Sequence, residues 1–179
     1  MSSRRILDCC SLLNLYAGWG NLAALRQLDH TWHICEAVLN ESEYTREFDQ
    51  DQKPIAVPLD MRTLIDGRQI ISVRPETEAE FNDYVDFAQD IDDGEAQALS
   101  IAKHRHFILL TDDNKATRIA RRPDVDVTTI TTVHVLKEWA ERAAIEREAL
   151  RHIVRRIQVL AHFTPRRDSP DFAWWESHL

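Results

Sequence analysis

Six residues near the middle of the chain, His106-Phe-Ile-Leu-Leu-Thr111, form its clearest strand, and Asp112-Asp113 and a helix-forming segment from Asn114 to Arg122 follow at once. A short apolar run that stops at a polar turn reads as a strand buried on both faces. Other short β-favouring runs flank it: Arg5-Ile6-Leu7, His33-Ile34-Cys35 and Val125 to Ile130. Helical stretches lie between them. These are Ser11 to Tyr16, broken by Gly18-Trp19-Gly20; Leu22 to Leu28, with Asn21 as cap; Glu36 to Phe48; Pro75 to Ala88; Asp92 to Lys103; and Thr132 to about His162, with a break near Ala143-Ala144. Strands that alternate with helices predict βαβ units and a mainly parallel central sheet.

One stretch departs from that rhythm. Between Lys53 and Val73, short β-favouring pieces (Ile55, Val57 and Leu59, then Leu64, Ile65, Ile70, Ile71 and Val73) surround prolines and Asp66-Gly67, a dipeptide that predicts a hairpin turn. The expected organisation is one domain over residues 1–162, including the C-terminal helices, and an irregular tail over 163–179. In that tail Trp174-Trp175 would be costly if exposed, so docking on the domain or on a second subunit is expected.

Charge and cysteine usage narrow the function classes. A formal net charge of −8 argues against a basic protein that coats nucleic acid. Four glycines leave no Gly-rich phosphate loop. No apolar run approaches the roughly 18 residues that span a bilayer, and the start turns acidic at Asp8 before a signal-peptide core could form. Cys9, Cys10 and Cys35 are odd in number and lack C-x-x-C spacing, which predicts reduced, buried thiols and a cytoplasmic protein.

In open parallel sheets, ligands sit beyond the carboxyl ends of the strands. Asp8 follows the first strand and Asp112-Asp113 the clearest one; Glu41 and Glu95 enter from helices. Each acid also has a plain structural role available. Asp8 and Asp113 suit helix N-caps, Asp92 and Glu95 have capping-box spacing, and Glu41 is one of many helix charges. Like charges packed together are costly unless a cation offsets them. An all-carboxylate set suits a hard divalent ion and phosphodiester chemistry.

Four segments carry a family resemblance: Ile6-Leu7-Asp8-Cys9-Cys10-Ser11-Leu12-Leu13-Asn14-Leu15, Val38-Leu39-Asn40-Glu41, Asp93-Gly94-Glu95-Ala96-Gln97-Ala98-Leu99-Ser100-Ile101-Ala102, and Phe107 to Ala120 with its Thr111-Asp112-Asp113 turn. In order and approximate spacing, over about residues 4 to 130, the chain resembles PIN-domain nucleases, including VapC-like toxins of toxin–antitoxin systems. The resemblance implies a three-layer α/β/α fold with a mainly parallel central sheet and, here, a helical C-terminal extension. It implies Mg²⁺ or Mn²⁺ held by Asp8, Glu41, Glu95 and Asp113, with Asp112 adjacent, and Thr111, Ser11 and Asp93 supporting them. Glu43 is an alternative to Glu41. The implied reaction is RNA phosphodiester hydrolysis, and the implied partners are RNA, an antitoxin protein and a second copy of the chain, with no membrane.

Two departures from the family pattern stand out: Cys10 occupies a position usually Ser or Asn, and the chain is longer than a minimal toxin. Arg118 and Arg121, after Asp113, and Arg155 and Arg156, in a stretch free of acids between Glu148 and Asp168, are candidate RNA or partner contacts. The competing reading is a PIN-like domain kept as an RNA-binding or protein-interaction module without chemistry. An Asp-x-Asp phosphohydrolase is disfavoured, because Cys9-Cys10 follow Asp8.

Overall fold

The computed structural model describes residues 3–41, 44–59, 61, 65, 67 and 70–179. Strand β1 (Ser3–Leu7) is followed by helix α1 (Cys9–Trp19), a 3₁₀ turn (Ala23–Gln27), β2 (His30–Cys35) and α2 (Glu36–Glu41). Next come β3 (Tyr44–Phe48), β4 (Pro54–Pro58), β5 (Ile71–Val73), α3 (Glu78–Phe87) and α4 (Asp93–Arg105). The rest comprises β6 (Ile108–Leu110), α5 (Asn114–Ala120), β7 (Thr129–Ile130), α6 (Thr132–Arg142), α7 (Arg147–Leu160) and α8 (Phe172–Glu176).

Five strands form one sheet in the order β5-β2-β1-β6-β7, every neighbouring pair parallel and the sheet flanked by helices. β1 lies at the centre. Its successors β2 and β5 build outward on one side, β6 and β7 on the other, so the direction of winding reverses between β1 and β6. Such a reversal leaves a crevice at the carboxyl ends of the two strands. The register pairs Leu7 with Leu110, which sets Asp8 beside Thr111, and Asp8 N donates to Leu110 O at 3.1 Å.

The core follows from the apolar pattern. Ile6, Leu7, Leu109 and Leu110 are wholly buried, as both faces of a parallel sheet require. Helix α4 buries Ala96, Ala98, Leu99, Ile101 and Ala102, its alanines permitting close approach to α2 and α3. Its ends suit the helix dipole: Asp93 and Glu95 lie in the first turn and Lys103, His104 and Arg105 in the last. Helix α7 buries Leu150, Val154, Ile157 and Leu160 along one stripe and packs on α1.

Several local expectations need correction. Gly18 does not break α1; it is buried inside the helix, and Gly20, at φ 73°, ends it. The helix expected over Glu36 to Phe48 stops at Glu41, because Tyr44 to Phe48 pair antiparallel with Pro54 to Pro58. Tyr44, Thr45 and Phe48 are strand-favouring residues, and a pairing partner decides what helical spacing left ambiguous. The turn expected at Asp66-Gly67 rests on Asp66, which lies outside the described residues; a hairpin forms at residues 44–58. Its turn is held by Asp49 Oδ1, which accepts from the N–H groups of Asp51 (2.9 Å) and Lys53 (2.8 Å). Leu64 and Asp66 lie outside the described residues, and Ile71–Val73 joins the central sheet beside β2. The strand expected from Val125 shortens to Thr129–Ile130, and His106 is a left-handed helix cap at φ 54° instead of a strand residue.

The C-terminal segment is only partly irregular. It carries α8, and Trp175 is fully buried against Phe163, with ring centroids 5.4 Å apart. Asp171 ties it down by accepting from Thr131 Oγ1 and Lys137 Nζ, each at 2.7 Å. Cys35 is buried and Cys9 partly so, but Cys10 is exposed, contrary to expectation; none of the three forms a disulfide.

Candidate metal centre

Asp8 ends β1 and caps α1: its Oδ1 accepts from Ser11 N–H at 2.7 Å. The cap uses one oxygen. The other, Oδ2, is buried and has no hydrogen-bond partner among the described residues. A buried carboxylate oxygen in that state is costly unless something positive reaches it. Burial accordingly pushes the Asp8 acid up to about 6, with the Asp112 charge adding to the rise and the Thr111 and Ser11 groups restraining it.

Asp113 follows the same scheme at the next strand. It caps α5 through Oδ1, which accepts from Lys115 N–H (2.6 Å) and Ala116 N–H (2.7 Å). Thr111, buried behind it, accepts from Asp113 N–H at 3.1 Å and contacts Asp8 as well. Glu95 enters from the first turn of α4. The reciprocal capping box that Asp92–Glu95 spacing allows does not form, since Asp92 makes no side-chain cap bond; that box occurs at Thr77–Glu80. Burial, then the charges of Asp113 and Asp8, push Glu95 up to about 7. Asp8, Glu95 and Asp113 therefore share one electrostatic environment at the β1/β6 reversal.

Asp112 plays a different part from the one expected of a metal ligand. Its Oδ1 accepts from Thr132 N–H at 3.0 Å, and its Oδ2 from Asn14 Nδ2 (3.0 Å), Ser11 Oγ (3.3 Å) and the Thr132 hydroxyl. Both oxygens are engaged within the chain, where Asp112 joins α1, the end of β6 and the start of α6. Sequence reasoning missed Asn14 and Thr132. Asn14 left a signal, a polar residue one turn after Ser11 on the buried face of α1; Thr132 left none.

Glu41 meets the first turn of α4. Its Oε1 accepts from Gly94 N–H at 3.1 Å, and its carboxyl is raised by burial and by Asp92 and Asp93. A Cβ at position 94 would lie 2.7 Å from Glu41 Oε2, so only glycine permits this approach. Asp93 raises the carboxyl of Glu41 and the phenol of Tyr84. Glu43 lies outside the described residues. Among the candidate basic contacts, Arg156 is committed internally: its guanidinium donates to Ala17 O (2.9 Å), Gly18 O (3.2 Å) and Glu47 Oε2 (2.7 Å). Arg118, Arg121 and Arg155 are exposed.

Glu95, Asp112 and Asp113 open into a cleft of about 750 Å³, also lined by Cys10 and Asn14 of α1, by the β3–β4 hairpin and by residues 160–164. Although the Cys10 residue is exposed, its thiol is pushed up to about 12 by partial burial at the cleft wall and then by Asp8, which keeps it protonated at neutral pH.

The model of a family described as a PIN domain matches residues 4–165, nearly the whole chain. The chain belongs to the PIN-domain family. The match agrees with the parallel five-stranded sheet and extends the shared region through the C-terminal helices to residue 165. PIN domains are in general nucleases and typically use divalent metals. None of the curated proteins compared with the chain matches it significantly.

The carboxylates present fit a hard divalent cation. They offer oxygen donors only, one of them buried without a partner among the described residues, and Asp8 and Glu95 are made weaker acids by burial first and by neighbouring carboxylates second. Among the described residues no three His, Cys, Asp or Glu side chains stand close enough to enclose one ion. Magnesium keeps several waters and takes one or two carboxylates directly. No helix among the described residues is long and apolar enough to cross a membrane.

Proposed function

We propose that this PIN-domain protein is an endoribonuclease that depends on Mg²⁺ or Mn²⁺, with one or two of Asp8, Glu95 and Asp113 ligating the ion directly and the others, with Glu41, reaching it through its waters. The observation that carries the reading is the buried, unpartnered Oδ2 of Asp8 in the same electrostatic environment as Glu95 and Asp113. A divalent cation bound there supplies positive charge against the phosphate oxygens and activates the attacking water.

The chain's own groups supply the positioning. Ser11 N–H and Thr111 hold Asp8, backbone N–H groups at the start of α5 hold Asp113, and both leave part of each carboxylate uncommitted. Asp112, through Ser11, Asn14 and Thr132, fixes the ends of β1 and β6 relative to each other. Hydrolysis adds water across one P–O bond of the RNA backbone, giving one phosphate end and one hydroxyl end. The resemblance to VapC-like toxins supports a cytoplasmic toxin with an antitoxin partner and a homodimeric state as parts of the same proposal.

The test is cleavage of a structured-RNA panel with Mg²⁺ or Mn²⁺ by the wild type, Asp8→Asn and Asp113→Asn. Cleavage that needs metal and vanishes in both variants supports the reading. A folded wild type that neither cleaves RNA nor binds metal overturns it and leaves the interaction module in its place.

A further inference from the structure

The β3–β4 hairpin forms a sheet of its own, separate from the central one. Its register pairs Arg46 with Ala56. Residues two apart on a strand share a face with each other and with the residue directly opposite. Tyr44, Arg46 and Ala56 therefore present one face, and all three line the cleft that holds Glu95, Asp112 and Asp113. Arg156 anchors the hairpin to α1 and α7 through Glu47, its guanidinium also lying 5.8 Å from the Phe48 ring centroid.

Single exposed aromatic residues are ordinary on protein surfaces. Tyr44 differs in its company. It is 61 % exposed, lies next but one to an exposed arginine with no ion-pair partner among the described residues, and opens onto a cluster of acids. A cation would offset those acids only locally, so a strand running past them gains from attraction elsewhere in the cleft. An aromatic ring for base stacking beside a cation for the backbone is the combination that binds single strands without reading their sequence. Bases inside a duplex are stacked on each other and offer no free face to such a ring.

We infer that the hairpin is a substrate platform: Tyr44 stacks an unpaired RNA base and Arg46 holds the adjoining phosphate, positioning the strand over the Glu95 and Asp113 carboxylates. Both are positioning residues, and the inference rests on the ribonuclease reading for its substrate.

The experiment uses the full chain and a fluorescent single-stranded RNA 12-mer of mixed sequence. Binding is read by anisotropy in EDTA, so that it is independent of cleavage, and KM and kcat are measured separately with Mg²⁺ or Mn²⁺. Tyr44→Ala is expected to weaken binding and raise KM about tenfold with kcat little changed, the size of one lost base stack. Tyr44→Phe keeps the ring and binds within about twofold of wild type. Arg46→Gln lowers the slope of log affinity against log salt by about 0.7, the signature of one lost phosphate contact on a single strand. A wild type that fails to bind the 12-mer, a Tyr44→Ala variant that binds as well as wild type, or equal losses in Tyr44→Ala and Tyr44→Phe each overturn the platform. Binding with these variant effects but no cleavage under any metal leaves the platform standing and sinks only the enzyme reading.

Discussion

Asp8 and Asp112 share one serine: Ser11 gives its backbone N–H to Asp8 Oδ1 at 2.7 Å and its hydroxyl to Asp112 Oδ2 at 3.3 Å. The carboxylate with a free oxygen is thus locked to the carboxylate with none. Neighbouring acids at two strand ends divide into one that faces outward chemically and one that holds the frame.

Removing the frame should show in stability first. Asp112→Ala strips the acceptor from Ser11, Asn14 and Thr132 together and leaves buried donors unsatisfied. The expected loss is about 2–4 kcal/mol in urea denaturation. Asp112→Asn keeps one acceptor oxygen and should lose clearly less. Equal stability of Asp112→Ala and wild type would show that these bonds hold little.

Gly94→Ala has two opposed effects. Alanine in a helix ordinarily gains up to about 1 kcal/mol over glycine, but here its Cβ would meet Glu41 Oε2 at 2.7 Å and Val38 Cγ2 at 3.0 Å. A contact that close forces the partner away, and the overpacking should dominate, with a net loss of about 1–2 kcal/mol. In a Glu41→Ala background the penalty should shrink markedly. A penalty unchanged by Glu41→Ala would place the strain on Val38 alone.

How much of this arrangement could be read from the residues depends on the distance over which each feature is decided. Asp8 and Asp113 were legible because strand, acid and helix are contiguous, and the parallel sheet followed from their alternation. Glu95 was legible from a local motif. The β3–β4 hairpin was not legible, because Tyr44–Phe48 becomes a strand only through pairing with Pro54–Pro58. Arg156 looked like part of a basic surface, yet the carbonyls it serves belong to Ala17 and Gly18, far away in the chain. The bond from Gly94 N–H to Glu41 is likewise a matter of packing between α2 and α4, which spacing does not encode.

Arg156 offers a direct check of hairpin anchoring. Arg156→Met keeps an apolar stem but loses the bonds to Ala17 O, Gly18 O and Glu47. Charge-assisted bonds of this kind support a loss of about 1.5–3 kcal/mol. Hydrogen exchange should rise at the paired amides of residues 44–48 and 54–58 more than in the central sheet. Uniform change across both sheets would mean that Arg156 stabilises the domain as a whole, not the hairpin.

The sharpest prediction concerns pH and metal together. Asp8 rises from 3.8 to about 6 and Glu95 from 4.5 to about 7 on folding. A carboxyl whose folded value is raised contributes stability that is fully present below its unfolded value and is lost as pH climbs through the folded one. The metal-free protein should therefore lose stability between about pH 4 and pH 7, on the order of 3 kcal/mol from the fully buried Asp8 alone. Glu80 acts in the opposite sense: held near 2 chiefly by Arg105, it contributes stability above 4.5 that fades as pH falls toward 2, so its effect lies mainly below that window. Asp8→Asn and Glu95→Gln should each flatten the decline and raise the melting temperature of the metal-free protein at pH 7. Mg²⁺ or Mn²⁺ should flatten it in the wild type and do little in the double variant, because a cation offsets the same charges that the substitutions remove. Equal slopes of melting temperature against pH in the wild type and the Asp8→Asn, Glu95→Gln double variant from pH 4 to pH 7 in EDTA would mean that Asp8 and Glu95 are not strained by their surroundings.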